Sequence, residues 1–340
     1  MDTATSGAGR GATTPNWSQI LAPYGKPNQQ KAIWQIVTSI GPYLLLWAIM
    51  IATMQAGLPY IVTLALAVVA AGFVIRTFII FHDCCHGSFF ASRDANRILG
   101  TITGILTFTP YEPWRLSHAR HHATAGNLDR RGSGDVYTMT VAEYRAAPWW
   151  KRWGYRAFRH PLVMFGLGPF FSFVLSQRFA RSGAERREHV SVALTNLALL
   201  AVLGIAWATI GLRTYLLIQM PVILIAAMFG IWLFYVQHQF EGVYWARNET
   251  WDRARAAIEG SSYYKLPRIL QWFTGNIGLH HIHHLRATIP NYNLQAAYDD
   301  IPALQTVKPP TLGSSLKCLG LALYDETHGQ LLRFSALKRT

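Results

Sequence analysis

Thirteen histidines occur in 340 residues, and their spacing says more than their number. Eight fall into three clusters: His82 and His86 in FHDCCHGSFF, His118, His121 and His122 in SHARHHATAGN, and His280, His283 and His284 in GLHHIHHLRATIP. Positions i, i+3 and i+4 share one face of an α-helix, so each cluster can aim two or three imidazoles at a single point. That is metal-binding chemistry, and imidazole suits iron, copper, zinc and nickel alike, which leaves the metal open on ligand type. The cysteines between the first two histidines are weaker candidates. On a helix, Cys84 and Cys85 point about 160° and 100° away from His86. Zinc motifs also separate their cysteines by several residues, and a disulfide between neighbours is strained. Cys84 and Cys85 therefore read as spacers, and with Cys318 they make no disulfide framework.

The elements that must position these residues are membrane helices. Of all residues 51% are hydrophobic and 14% charged, where a soluble domain carries about 25% charged residues. No charged residue occurs from Ala32 to Ile75, and Arg213 is the only one from Val190 to Phe240. Each block is about twice the roughly 20 residues needed to cross a bilayer, so each predicts a helical hairpin. Turns at Gln55 to Pro59 and at Gly211 to Arg213 give spans of about 33–54, 60–81, 190–210 and 214–236. The second helix of the first hairpin delivers His82 to the membrane boundary. Its counterpart in the second hairpin delivers His238, in YVQHQFEGVYW, to the same depth, and supplies a ninth candidate ligand. Nine imidazoles exceed the four of tetrahedral zinc or the six of an octahedral ion, so the count fits two metal ions.

Charge fixes the orientation. Fourteen Arg and one Lys lie between His82 and His189, against a single Arg in the two hairpin turns. The positive-inside rule then places the histidine clusters and both termini in the cytosol, as in a multi-pass protein of a bacterial inner membrane. With a net charge of +14, this face suits anionic lipid headgroups or an acidic protein partner rather than nucleic acid. The expected organisation is a disordered arm over 1–30 and one membrane domain over 31–340, whose helical cytosolic cap is built from 82–189 and 237–340. Two shorter apolar runs, 98–108 and 161–175, fit interfacial or re-entrant segments. Arg76 is expected to snorkel to the interface. His160, His189 and His328 read as surface residues, and His281 lies one position off the ligand face.

No Glu stands three residues before a His, so the Glu-x-x-His pattern of soluble di-iron bundles is absent. The boxes resemble instead those of the integral-membrane fatty-acid desaturase family. HDCCHGSFF is similar to its first box, PYEPWRLSHARHH to its second with the preceding Trp114 and Arg115, and NIGLHHIHHLRATIPNYNL to its third. FYVQHQFEGVYW resembles a segment of the acyl-lipid Δ12, or omega-6, branch. One departure is Cys85, where the family usually has Gly.

The resemblance implies an all-α integral membrane enzyme that uses O₂ and two electrons at two iron ions to place a cis double bond in an acyl-lipid chain. The iron ligands it implies are His82, His86, His118, His121, His122, His238, His280, His283 and His284. Asp83 and Asn276 are candidates to hydrogen-bond those ligands. Trp114 reads alternatively as an interfacial anchor, and Arg115 as a positive-inside charge. The chain shows no His-Pro-Gly-Gly stretch, no CxxCH and no Cys set for an iron–sulfur cluster, so the electrons are expected from a separate ferredoxin or small haem protein. The same boxes also serve hydroxylases, epoxygenases and carotenoid oxygenases. A metal transporter would place its ligands near the bilayer midplane, not at the ends of spans. A haem protein would pair two histidines across a bundle.

Overall fold

The two charge-free blocks fold as two hairpins. The computed structural model describes residues 15–132 and 134–338. Its four long apolar helices, here the first to fourth spans, are Gln29–Gln55, Tyr60–His86, Arg186–Thr209 and Leu212–His238. They overrun the apolar windows because a helix continues until something caps it. The first span starts at Asn28, whose side chain accepts from the Lys31 amide at 2.9 Å. The second stops at Gly87, which adopts φ +67°, with the Gly87 and Ser88 amides closing onto Cys84 O and Asp83 O at 3.0 Å each. Glycine takes this left-handed cap without a Cβ penalty, so the helix ends at His86.

The second span is central and packs on both the first and the fourth. Buried Ala67, Ala70, Ala71 and Ala226 line these contacts, and small residues of this kind let membrane helices approach closely. Gln219 of the fourth span is buried among them. Its Oε1 accepts from Tyr43 OH at 3.0 Å and from Trp47 Nε1 at 2.8 Å, which ties the first hairpin to the second within the apolar zone. Leu45, Ile61, Leu197, Ile205 and Trp207 point outward from the spans, as lipid-facing side chains do.

The polar remainder folds over one end of the spans. Its helices are Arg93–Leu106, Tyr111–Thr124, Arg253–Glu259, Arg268–Phe273, His280–Leu285 and Asn291–Asp300, with shorter pieces between them. Strands of two or three residues form a small sheet: Met139–Thr140 runs parallel to Leu323–Asp325, which runs antiparallel to Gln330–Leu332. The all-α membrane architecture expected from the sequence is the one observed.

Local structure refines several of the expected segments. Residues 1–14 of the expected arm lie outside the described residues, but 15–30 are ordered, with a helical turn at Trp17–Ile20 and a 3-10 turn at Ala22–Gly25. Leu21 is fully buried among Ile277, Leu279, Ile282 and Ile289, a set of apolar anchors too sparse to raise the polar average of the segment. The apolar run 98–108 lies mostly in the regular helix Arg93–Leu106, which fits the interfacial alternative. It exposes Ile98 and Ile102 and turns Gly100 and Gly104 toward Tyr111 and Phe81. The run 161–175 forms wide-turned helix at Leu162–Leu167 and Phe170–Leu175, bent by 59° from Trp149–Phe158, and the bent pair is long and apolar enough to be a broken span or a re-entrant loop. Arg76 is buried within the protein at this end of the span. Its guanidinium lies 3.9 Å from the Trp272 ring centroid and donates to the Trp272 carbonyl.

Candidate metal centre

Each histidine is placed by a helix end. His82 and His86 occupy the last two turns of the second span, and His238 is the final residue of the fourth. Tyr111–Thr124 carries His118, His121 and His122, and the short helix His280–Leu285 carries His280, His283 and His284. These helices bring the nine together as two groups. One holds His82, His86, His118, His122 and His283; the other holds His121, His238, His280 and His284. Within each group the candidate ligand atoms lie within 4.8 Å of one another. The groups adjoin, with the His122 and His284 rings stacked at 4.2 Å. No cysteine belongs to either group among the described residues.

The protonation pattern tests whether these residues fit a cation. His238 Nδ1 faces the Gly260 carbonyl at 3.3 Å, a contact that requires the proton on Nδ1 and leaves Nε2 a bare lone pair. That Nε2 nevertheless lies 3.1 Å from His121 Nε2 and 2.9 Å from His280 Nε2. His284 Nε2 approaches His280 Nε2 at 3.1 Å, and His122 Nε2 approaches both His118 and His283 at 3.1 and 3.0 Å. One shared proton per ring cannot satisfy a nitrogen with two such neighbours. The Nε2 atoms of His82 and His86 are buried with no partner at all. Lone pairs converging without protons are what a bound cation resolves, so the residues fit metal ions. Burial, then the adjacent imidazoles, hold His118, His121, His122, His280, His283 and His284 well below the usual histidine range. They are therefore neutral, which is the form that ligates metal.

Around this core the sequence candidates separate. Asp83 is 1% exposed; its Oδ1 lies 3.0 Å from His82 Nδ1, and its Oδ2 accepts from the amide and side chain of Asn291 at 2.6 and 2.8 Å. A carboxylate on the far nitrogen of a ligating imidazole fixes both tautomer and orientation. Among the described residues Asn276 hydrogen-bonds no histidine; its side chain donates to the Asn291 carbonyl at 3.5 Å. Trp114 stacks on His118 at 4.3 Å between ring centroids, so it backs the site, and Arg115 pairs with Glu112 at 2.8 Å. His281 faces the Leu304 carbonyl, away from both groups. His160, His189 and His328 are exposed and stand outside them. Asn291 escaped the sequence reading, because nothing in the third box signals that a residue seven positions beyond it reaches back to Asp83.

A cavity of about 280 Å³ leads to the centre between the second and fourth spans. Its walls are almost entirely apolar, including Phe78, Ile79, Phe173, Ala227, Gly230 and Phe234. Its inner end is formed by His82 and His118 of one group and His280 of the other. The wall positions 223, 226, 227, 230 and 234 repeat at helical spacing on the fourth span, with small residues at 226, 227 and 230. That stripe was legible but indistinguishable from ordinary helix packing.

Fold and site together define a membrane-embedded enzyme with a nine-histidine centre reached through an apolar cavity. The family model described as fatty acid desaturase matches residues 56–310. A fatty acid desaturase of Bacillus subtilis (strain 168) is 46% identical over 318 residues, covering 94% of this chain and 90% of the relative. The chain belongs to the fatty acid desaturase family and is an oxygen-dependent oxidoreductase. More distant relatives include the chloroplastic omega-6 fatty acid desaturase of Glycine max, 27% identical over 66% of this chain and 52% of the relative. A ferredoxin-named sn-1 acyl-lipid omega-3 desaturase of Synechocystis sp. (strain ATCC 27184 / PCC 6803 / Kazusa) is 26% identical over 66% and 63%.

Proposed function

We propose that this chain is an acyl-lipid desaturase of the Δ12, or omega-6, type, with two iron ions held by the nine histidines. The observation that carries the reading is the apolar cavity whose inner end touches both histidine groups. When bound, the irons would supply the oxidising power to remove two hydrogens from adjacent methylenes as O₂, two electrons and two protons become two waters. The protein's own residues do the rest. His82, His86, His118, His122 and His283 would hold one ion, and His121, His238, His280 and His284 the other. Asp83 keeps the His82 Nε2 lone pair aimed inward. The cavity walls hold the acyl chain against this end, extended between two spans, and exclude water from it.

The omega-6 assignment is supported by the FYVQHQFEGVYW segment and by relatives named as omega-6 desaturases. The concentration of Arg in the cap supports a cytosolic site and an acidic electron donor, and a ferredoxin is the donor named for some relatives. Fatty-acid profiling with double-bond location, in a host supplied with known monounsaturated lipids, tests the reading. A new dienoic acid unsaturated at the omega-6 position is expected. A double bond elsewhere removes the regiochemical assignment, and an oxygenated product removes desaturation.

A further inference from the structure

A second cavity, of about 570 Å³, opens between the first two spans and the helices Arg268–Phe273 and Asn291–Asp300. Every charged residue in its lining is a cation: Lys31, Arg76 and Arg268. Among the described residues none of the three pairs with a carboxylate. Lys31 reaches the Asn293 side-chain oxygen at 3.1 Å and lies 6.0 Å from the Tyr292 ring centroid, and Arg76 reaches the Trp272 carbonyl and ring. Beside them Gln35 is 3% exposed, and both its side-chain nitrogen and oxygen are buried without a hydrogen-bond partner. An amide left so is costly unless a ligand satisfies it.

Position narrows the ligand. The cavity lies where the first span begins, and the exposed Trp34, Ile269 and Trp272 beside these cations mark the polar boundary of a bilayer. Phosphate groups of lipids lie at that depth, and basic residues there attract anionic headgroups. The lining carries no acid to neutralise an ammonium, so a choline or ethanolamine headgroup would bring its amine against three cations. Gln35 offers a free donor for a phosphate oxygen and a free acceptor for a hydroxyl.

We propose that this cavity binds the headgroup of an anionic phospholipid, one that carries a phosphate and a free hydroxyl, as phosphatidylglycerol does. The assignment does not depend on where the double bond is placed. It does connect to the centre, because Asn291 lines this cavity and also holds Asp83.

Lipid retention tests it without an activity assay. The full chain is reconstituted in phosphatidylcholine bilayers containing a minority of phosphatidylglycerol, extracted in detergent, and its retained lipids are counted by mass spectrometry. Phosphatidylglycerol enriched over its bulk share is expected, with about fivefold less retained for Lys31→Ala or Arg268→Ala. Both residues are exposed, so folding is expected to survive. Arg268→Lys should restore retention, and Gln35→Leu should lower it. Equal retention of both lipids, or unchanged retention in all three loss variants, overturns the proposal. Full displacement by inorganic phosphate also overturns it, in favour of a free-anion site.

Discussion

At the scale of single residues the centre makes sharp demands. His82→Ala or His86→Ala is expected to abolish desaturation and to lower bound iron, measured by metal analysis of purified protein. Cys85→Gly should retain both, because Cys85 belongs to neither histidine group. Asp83→Asn keeps the shape but loses the carboxylate that aligns His82, and metal affinity should fall about 10- to 100-fold in a chelator competition. Spacing made eight of the histidines legible, since helical periodicity converts HxxxH and HxxHH into shared faces, and the matching depth of the two hairpins added His238. Spacing also separated His281 from its neighbours. It did not show how the faces divide, because the split of His121 from His118 and His122 depends on which helix packs opposite each. Nor could it reveal Asn291, whose role arises from a contact between residues 208 positions apart.

At the scale of elements, the fourth span does two jobs. Its last residue joins one histidine group, and its inward face forms a wall of the apolar cavity. A Cβ placed at Gly230 meets nothing within 4 Å, so a larger side chain there would enter open space instead of breaking a contact. Gly230→Leu is expected to abolish or shorten acyl-chain acceptance while iron content stays at the wild-type level, read by product analysis beside metal analysis. Loss of both would mean a folding defect. The spans were legible because an apolar run this long, without a charge, is matched to the thickness of a bilayer. The helix Arg93–Leu106 keeps the outward-facing Ile98 and Ile102 of an interfacial segment, but its glycines gave no sign of their contacts. Gly100 and Gly104 in fact let Tyr111, Phe81 and the Thr109 carbonyl approach its backbone.

At the scale of the whole molecule, the two hairpin turns should lie on the face opposite the cap. A single cysteine placed at Gly57 or Gly211 in a variant lacking the native cysteines is expected to react with an impermeant maleimide in intact cells. Positions in the cap should react only after permeabilisation, and the reverse result would invert the orientation. The expected sidedness rests on counting arginines, while the ordered stretch 15–30 was lost in the polar average of its segment. The division of the histidines also dictates an order of events during synthesis. One group waits for His283 and the other for His280 and His284, so each is completed by the third box. Both hairpins can be threaded into the bilayer long before that box leaves the ribosome. Metal loading would therefore be a closing step, and a chain truncated before His280 should insert normally yet purify with little or no iron.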